Sequence, residues 1–249
     1  MSVRVYKIGG PALEDAALVR PLADEIRNAN GHALLVHGGG RRVDSMLRAL
    51  QIESRFVLGR RETSPETMEV VEMVLSGVMN KGLAASLTEA GLPAVGLSGR
   101  DAGLIRTRLE PGLGRVGIPE HVDVRVLSTL WGAGFVPVVS PVSAGPDGQA
   151  VNVNADEAAL GLARALEAEQ LVYLSDVDGV KIGDQPAASL TAEEAQRRIE
   201  DGTITGGMAL KVRVALLASA AGIPEVVIAG RARLTGGFAG TRIVAEAHS

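Results

Sequence analysis

Two asparagines and an aspartate, Asn152, Asn154 and Asp156, occupy alternate positions where a predicted strand meets a predicted helix. Alternating valines indicate the strand, and the alanine- and leucine-rich residues after position 155 indicate the helix. A strand that ends in this way delivers amide and carboxylate groups into a cleft, where they can bind a polar ligand and hold cations. The same pattern is also typical of a helix N-cap, in which Asn154 or Asp156 accepts backbone N–H bonds.

Lysine is rare in this chain, since only four of its 25 basic residues are lysines. Lys7 ends the predicted strand 3–8, and open α/β sheets bind ligands at that end of a strand. Lys211 falls in the predicted first turn of a helix, where a cation opposes the helix dipole unless an anion lies nearby. A compact ammonium group suits phosphate chemistry, so both lysines are candidates for that role. For Lys7 the alternative is a tight turn with a solvated surface lysine.

Two glycine-rich turns follow predicted strands. Glycines 38–40 lie between the strand 33–37 and a helical pattern, and the N-terminus of such a helix binds anions through its free N–H groups. Gly9 and Gly10 directly follow the first strand, and they let backbone N–H groups approach an anion closely. Neither turn matches the P-loop or the dinucleotide fingerprint. Each could also serve only as a tight turn that packs a helix on a strand.

Strands alternate with helices along the whole chain, which predicts an α/β fold with a largely parallel sheet between two helical layers. Asp147-Gly148 predicts a hairpin turn, and residues 103–118 resemble a second hairpin. Pro21 is expected to kink its helix or delay its start. The predicted strands are 3–8, 33–37, 94–99, 136–140, 171–174, 225–230 and 241–244, and the main predicted helices are 13–28, 65–87, 124–133 and 155–168.

Composition excludes several classes of protein. The chain has 249 residues with a net charge of −4 and only 2% aromatic residues, so it offers no basic or stacking surface for nucleic acid. Cysteine is absent and the four histidines are scattered, which argues against disulfides and zinc sites. No run of 18 apolar residues and no signal-peptide pattern occurs. These features predict a soluble cytoplasmic protein without a membrane partner.

Six motifs, in order and with matching spacing, resemble the amino acid kinase family. They run from residue 3 to about residue 244 and so cover nearly the whole chain. The motifs are Lys7-Ile8-Gly9-Gly10, His37-Gly38-Gly39-Gly40, Gly59-Arg60-Arg61-Glu62-Thr63, the stretch 151–159, Leu174-Ser175-Asp176-Val177-Asp178-Gly179-Val180, and Gly206-Gly207-Met208-Ala209-Leu210-Lys211.

This resemblance implies a three-layer αβα sandwich around an open sheet. Residues 1–168 would form a lobe that binds N-acetyl-L-glutamate and dimerises, and residues 169–249 would form an ATP-binding lobe on the same sheet. The implied reaction is the ATP- and Mg²⁺-dependent phosphorylation of the γ-carboxylate of N-acetyl-L-glutamate in arginine biosynthesis. No residue is assigned as a metal ligand, and the ligands of Mg²⁺ stay open at this point, since phosphates and water can supply most of its contacts.

The resemblance also implies a role for each matching residue. The catalytic residues would be Lys7, Lys211 and Asp156, with the aspartate holding both lysines. Binding of N-acetyl-L-glutamate would fall to Gly39, Gly40, Arg61, Asn152 and Asn154, and binding of phosphate to Gly9 and Gly10. The nucleotide would be surrounded by Ser175, Asp176, Val177, Asp178, Gly179, Val180, Ile204 and Met208.

Two alternatives remain open at this point. One is a kinase that acts on α-aminoadipate or glutamate attached to a carrier protein; Gly40, Asn152 and Asn154 argue against it, whereas the Arg60-Arg61-Glu62 segment departs from the commoner family pattern. The other is a non-catalytic amino-acid-binding module, which we expect to lack the lysine pair or its aspartate.

The resemblance also bears on assembly. The long helix over 65–90 has apolar residues on more than one face, which predicts a subunit contact or, alternatively, a fully buried helix. Arginine-inhibited members of the family carry an extra N-terminal helix that links dimers into a hexamer. The first strand begins here at about Val3, so a homodimer is expected rather than that hexamer.

Overall fold

The computed structural model describes residues 2–13, 16–57 and 59–244 of the chain. Its strands are β1 Val3–Ile8, β2 His32–His37, β3 Phe56–Val57, β4 Arg60–Arg61, β5 Ala94–Ser98, β6 Ile105–Leu109, β7 Val116–Val122, β8 Val136–Ser140, β9 Val142–Ala144, β10 Ala150–Val153, β11 Gln170–Leu174, β12 Lys181–Ile182, β13 Gln185–Pro186, β14 Ser189–Thr191, β15 Glu225–Ala229 and β16 Thr241–Val244. Its α-helices are α1 Gly10–Leu13, α2 Ala16–Asn28, α3 Gly40–Ala49, α4 Pro65–Glu72, α5 Asn80–Glu89, α6 Arg125–Gly132, α7 Ala155–Ala165, α8 Ala192–Glu200 and α9 Gly206–Ala220. A π-helical segment, Met73–Met79, joins α4 to α5, and short 3₁₀ turns cover Asp101–Gly103 and Arg231–Thr235.

Eight of the described strands form one sheet in the order β14-β16-β15-β11-β1-β2-β8-β5. Every neighbouring pair is parallel except β15 and β16, which are antiparallel. The central strands are rich in valine, leucine and isoleucine and are buried along nearly their whole length, as expected when helices cover both faces. The predicted α/β class and largely parallel sheet are confirmed.

Two separate cores pack against the two faces of this sheet. Val5 belongs to the core that contains α6, α7 and α9, whereas Tyr6 and Ile8 belong to the core that contains α2 and α5. Adjacent residues of a strand point to opposite faces. Lys7 therefore projects toward the helical layer of α7 and α9, and the predicted three-layer sandwich is confirmed.

A small closed barrel of β10, β7, β6 and β9 leads directly into α7. The two hairpins from which it forms were predicted: β6 pairs with β7, and β9 pairs with β10 across the turn that contains Gly148. Closure of the barrel was not predicted, because it depends on the parallel pairs β10–β7 and β6–β9 between distant segments. The barrel fixes where β10 ends, and therefore where α7 starts.

Two helices differ from the prediction. Helix α2 begins at Ala16 and continues through Pro21, so the delayed start expected at the proline is wrong; Glu14 and Asp15 lie outside the described residues.

The continuous helix Pro65–Glu89 contains the π-helical segment, which no sequence pattern indicated. By length and composition alone this helix could span a membrane, but that is weak evidence, because core helices pass the same test. Its residues Met68 and Leu87 are buried in the fold.

Candidate active site

The three side chains predicted to be catalytic lie together at the carboxyl end of β1. Oδ1 of Asp156 lies 2.8 Å from Nζ of Lys7 and 3.5 Å from Nζ of Lys211. Strand β1 supplies Lys7, the first turn of α7 supplies Asp156, and α9 supplies Lys211. Each of the three side chains is at most 10% exposed. The site therefore holds two buried ammonium groups around one carboxylate, while their catalytic roles remain a prediction.

Lys211 is not in the first turn of its helix, which corrects the sequence-based argument. Helix α9 begins at Gly206, so Lys211 is its sixth residue and lies in the second turn. The unfavourable effect of the helix dipole on a cation fades beyond the first turn. Burial beside a second cation, rather than the dipole, is what makes this lysine unusual.

The charges in this cluster shift one another's pKa values. Burial raises the pKa of Asp156, but the charges of Lys7 and Lys211 outweigh burial and hold that pKa below its usual value. Burial and repulsion from Lys7 lower the pKa of Lys211 to about 8, although Asp156 partly offsets them. Asp156 is thus ionised at neutral pH, and Lys211 carries a proton that it can lose under mildly alkaline conditions.

The two asparagines have different partners. Oδ1 of Asn154 accepts hydrogen bonds from the backbone N–H groups of Asp156 at 2.8 Å and Glu157 at 3.4 Å, so Asn154 caps α7. Nδ2 of Asn152 donates to Oγ1 of the buried Thr63 at 3.2 Å. Both asparagines also line the cleft beside Lys7. The capping role and the predicted ligand-binding role of Asn154 are therefore compatible.

The second glycine turn forms the N-terminus of α3. Gly39 has a φ of 151°, and a Cβ atom at this position would overlap Sδ of Met79 and lie 2.7 Å from a methyl group of Leu75. Only glycine fits between this turn and the π-helical segment. The first N–H groups of α3 have no partner within the helix, which leaves them for an anion.

Arg61 is buried at the floor of the same cleft. Its guanidinium group lies 2.6 Å from Oδ1 of Asp44, donates to Ser54, reaches the carbonyl oxygen of Gly40 at 3.4 Å, and lies 4.5 Å from the centre of the Phe56 ring. These contacts hold the planar group in one orientation beside the glycine turn. Such a preorganised guanidinium suits a carboxylate.

Arg60 turns to a different partner, Glu157 of α7, with which it forms a two-pronged ion pair. The short strand β4 therefore ties the cleft to the start of α7, next to Asp156.

The cleft has a volume of about 210 Å³ and a mixed lining. The polar and glycine residues of the lining include Lys7, Gly38, Gly39, Gly40, Arg60, Arg61, Asn152, Asn154 and Asp156. The apolar residues include Val43, Phe56, Val71, Leu75, Val116 and Val153. All five residues predicted to bind the acidic substrate are in this lining. Lys211 is absent from the described lining and meets the cleft through Asp156.

The first glycine turn does not match its prediction fully. The N–H of Gly9 donates to the carbonyl oxygen of Leu174 at 2.9 Å, so this N–H group is not free for an anion, while phosphate binding at Gly9 stays a prediction. A glycine is still useful here, because a Cβ atom would lie only 3.3 Å from the same oxygen. Gly10 is the first residue of α1, where an N–H has no partner within the helix.

The residues predicted to surround the nucleotide are only partly gathered at one place. Ser175, Asp176 and Asp178 line a second cavity of about 440 Å³, together with Arg231, Ala232 and Thr235. Val180 and Ile204 are buried in the core, Met208 packs against it, Gly179 packs against Thr241, and Val177 is half-buried. The apolar residues of the predicted set do not line this cavity because they pack in the core. The segment 231–235, which does line it, was not identified from the sequence.

Other contact residues were also missed. Asp44, Ser54 and Glu157 hold the two arginines, and no spacing in the sequence pairs them with β4. Tyr173 lies beside Lys7 in the sheet register, and its ring centre is 5.7 Å from Nζ of Lys211. Burial raises the pKa of Tyr173 well above its usual value, and the charge of Asp156 adds to this effect. A tyrosine inside an apolar strand gave no signal beyond core packing.

The model of the amino acid kinase family matches residues 2–230. The chain belongs to this family. An acetylglutamate kinase from Rubrobacter xylanophilus is 44% identical over 245 residues, which cover 98% of this chain and 96% of that protein. An acetylglutamate kinase from Geobacillus kaustophilus is 45% identical over 233 residues, and this match covers 88% of that protein. The crystal structure of N-acetylglutamate synthase from Neisseria gonorrhoeae, in complex with coenzyme A and N-acetyl-glutamate, has a TM-score of 0.84 at 25% identity and matches 99% of this chain but 60% of that one.

Proposed function

We propose that this protein is an acetylglutamate kinase, which transfers the γ-phosphoryl group of ATP to the γ-carboxylate of N-acetyl-L-glutamate in arginine biosynthesis. The observation that carries the proposal is the pair of buried lysines around Asp156, at the end of a cleft whose lining includes Arg61. Such a cluster suits the transfer of a highly charged group to an acid. The similarity to acetylglutamate kinases over nearly the full chain supports this substrate.

The acceptor needs no general base. A γ-carboxyl group has an ordinary pKa of about 4.3, so it is ionised at neutral pH and ready to attack. One carboxylate oxygen forms a bond to the γ-phosphorus, the bond from phosphorus to the β,γ-bridging oxygen breaks, and ADP leaves with that electron pair. What remains for the protein is positioning and stabilisation of negative charge.

The lysine pair supplies that stabilisation. Lys7 lines the cleft directly, and Lys211 contacts the same oxygen of the shared carboxylate. Negative charge on the three phosphoryl oxygens in the transition state would attract both ammonium groups. Asp156 keeps the two cations close together before ATP binds and accounts for their tolerance of burial.

The cleft lining accounts for recognition of the acidic substrate. The guanidinium group of Arg61, held flat by Asp44, would bind the α-carboxylate of N-acetyl-L-glutamate. The free N–H groups at Gly39 and Gly40 would face the γ-carboxylate and the phosphoryl oxygens. Val71 and Leu75 offer an apolar surface that suits the methyl group of the acetyl substituent.

ATP and Mg²⁺ would enter together as the second substrate. The cavity beside Ser175, Asp176 and Asp178 has hydroxyl and carboxylate groups that fit a ribose and a polar base edge. Among the residues that the structure describes, no three histidine or acidic side chains form a metal site. We therefore assign Mg²⁺ to the ATP phosphates and water, where it neutralises charge on the transferred group.

The proposal includes a cytoplasmic homodimer. Met73 and Val78 are 57% and 59% exposed, and both belong to the one helix Pro65–Glu89. We place the contact between subunits on this helix. Sedimentation should give a dimer, and Met73→Glu together with Val78→Glu should give a monomer. A hexamer, or a monomeric wild-type protein, would contradict this assignment.

The test of function is ADP release from Mg-ATP with N-acetyl-L-glutamate, L-glutamate and α-aminoadipate offered separately. We expect turnover with N-acetyl-L-glutamate and a much lower kcat/KM with the other two acids. Arg61→Lys should raise the KM for the acid with little change in the KM for ATP. No turnover with any of the free acids would exclude the proposal and favour a carrier-bound substrate or a binding module.

A further inference from the structure

His37 and Asn80 form a fully buried hydrogen-bonded pair behind the glycine turn, and the reaction described above uses neither of them. Both residues are 0% exposed. Nδ2 of Asn80 lies 3.1 Å from Nε2 of His37 and donates to the carbonyl oxygen of Val138 at 2.9 Å. On the other side of the ring, Nδ1 of His37 lies 2.8 Å from the carbonyl oxygen of Gly38. A continuous chain of contacts therefore links β8 to the turn.

These contacts determine the tautomer of His37. The carbonyl oxygen of Val138 can only accept, so the atom of Asn80 that faces it is the amide nitrogen, which has a second proton to donate. That proton points to Nε2 of His37, so Nε2 is the acceptor and the ring proton is on Nδ1. Burial, with a smaller effect of the Lys7 charge, lowers the pKa of His37 to about 4, so the ring is neutral at physiological pH.

The ring proton in turn orients one peptide group. Nδ1–H of His37 donates to the carbonyl oxygen of Gly38. In a trans peptide the C=O and the next N–H point in opposite directions. The N–H of Gly39 is therefore directed away from the buried ring, toward the side on which Gly38, Gly39 and Gly40 line the cleft. Glycines on both sides of this peptide give it more conformational freedom than other residues would, so this hydrogen bond is a specific restraint on its orientation.

The position of Asn80 is itself built into the fold. Asn80 follows the π-helical segment directly, and that segment also presses Met79 against Gly39. Strand β5 has a glycine, Gly96, under the amide, and a Cβ atom there would overlap Oδ1 of Asn80. The neighbouring Lys81 donates from Nζ to the carbonyl oxygen of Gly96 at 2.6 Å, without contacting His37. Asn80 thus packs where the long helix, the sheet and the glycine turn meet.

We propose that His37 and Asn80 are positioning residues for phosphoryl transfer: Asn80 holds the His37 ring through Nε2, and the Nδ1–H of His37 directs the N–H of Gly39 toward the acidic substrate. The identity of that substrate rests on the proposed function. The positioning itself concerns the ring and the peptide, and it can be measured without turnover.

Three variants and one control test the proposal. His37→Asn keeps an amide donor near the place of Nδ1, whereas His37→Gln places its amide farther out, near the place of Nε2. Asn80→Leu removes the donor to Nε2 of His37 and leaves the contact between Nδ1 and the Gly38 carbonyl. Lys81→Met is the matched control, because it removes an anchor of the same helix to the same sheet but leaves the His37 contacts intact.

Two kinds of measurement are needed. The tautomer is read from ¹⁵N NMR of protein labelled at histidine, with the His37 signal assigned by its loss in His37→Asn. Steady-state kinetics with N-acetyl-L-glutamate and Mg-ATP give kcat and both KM values. Thermal unfolding of each variant shows whether it is folded. If Asn80→Leu does not fold, the proposal is tested by the comparison of kcat in His37→Asn with kcat in His37→Gln.

We expect the wild-type protein to hold His37 in the Nδ1–H tautomer, and Asn80→Leu to keep that tautomer through the Gly38 carbonyl but to lower kcat by about tenfold to a hundredfold, because the ring and the peptide it orients are held less firmly. The KM for ATP should stay unchanged. In His37→Gln kcat should fall to a similar degree, and in His37→Asn it should fall less. Lys81→Met should leave kcat nearly unchanged. Equal losses in His37→Asn and His37→Gln, an unchanged kcat in Asn80→Leu, or an Nε2–H tautomer in the wild-type protein would overturn the proposal. A wild-type protein with the Nδ1–H tautomer but no turnover would instead count against the proposed function.

Discussion

Nζ of Lys7 lies 2.8 Å from Oδ1 of Asp156, and both side chains are almost completely buried. The same oxygen is 3.5 Å from the ammonium group of Lys211, so one negative charge is shared between two positive charges. The cluster has a net positive charge and lies at the end of a cleft that has a second cation, Arg61. A site of this kind attracts a polyanion such as the triphosphate of ATP.

Replacing Asp156 by asparagine should separate the two lysines while preserving the shape of the side chain. Without the carboxylate, two buried ammonium groups repel each other and lack a counter-charge, which typically costs about 3–5 kcal/mol of unfolding free energy. We also expect kcat to fall by at least about a hundredfold. Urea unfolding and steady-state kinetics measure the two effects. Wild-type stability and kcat in Asp156→Asn would show that the shared ion pair is unimportant.

Removing either lysine should affect catalysis more than folding. In the proposed mechanism Lys7→Ala and Lys211→Ala each take away one cation that would stabilise the transferred phosphoryl group, and kcat should fall by about 10²–10³-fold. Lys181→Ala is the matched control, because Lys181 is exposed on a short hairpin. The measurement is kcat with saturating substrates, accompanied by circular dichroism to check the fold. Unaltered turnover would remove that lysine from the mechanism.

Activity should decline as the pH rises through about 8. The pKa of Lys211 is lowered to about 8 by burial and by the charge of Lys7, so its ammonium group loses its proton in this range. The profile of kcat/KM against pH reports the free enzyme and should show this alkaline limb. In Lys211→Arg the side chain stays charged, so any residual activity should lack the limb. An identical limb in wild type and Lys211→Arg would assign it to another group.

The same shift predicts a change of stability with pH. Because the pKa of Lys211 is lower in the folded chain than in the unfolded chain, the unfolded chain binds more protons between about pH 8 and pH 10.5. The contribution of Lys211 to the free energy of unfolding therefore rises with pH across this window. We therefore compare the free energies of unfolding of wild type and Lys211→Met at pH 7 and at pH 10. Relative to the variant, the wild type should be more stable at pH 10 than it is at pH 7. A constant difference would contradict the shift.

Gly39→Ala should disrupt the substrate cleft. The φ of 151° is unfavourable for alanine, and the added methyl group would overlap Sδ of Met79. We expect a loss of about 1–3 kcal/mol of stability and a large rise in the KM for the acid. Gly132→Ala is the control, because a Cβ atom there meets nothing within 4 Å. Similar stability and KM in both variants would mean that the turn rearranges easily.

Much of the framework was predictable from the sequence because local patterns carry it. The ends of β1 and β10 follow from valine alternation, and these ends deliver Lys7 and Asp156 to the same edge of the structure. The glycine turn before α3 was equally visible as strand, glycines and helix. Each of these features depends on a few adjacent residues.

The remaining features depend on contacts between distant segments. Pairing of Arg61 with Asp44 and of Arg60 with Glu157 requires β4 to lie over the starts of α3 and α7, and no local pattern encodes that placement. The N–H of Gly9 is used by β11, a strand more than 160 residues away. The π-helical segment packs Met79 and Leu75 next to Gly39, and this contact between distant segments has no local sequence pattern.

The most direct test of the central claim is to trap the product with hydroxylamine. An acyl phosphate formed at the γ-carboxylate of N-acetyl-L-glutamate reacts to give a hydroxamate, which can be identified by mass spectrometry. We predict one γ-hydroxamate per ADP released by the wild-type enzyme, and almost none with Lys7→Ala. ADP release without a γ-hydroxamate would contradict phosphoryl transfer to the acid.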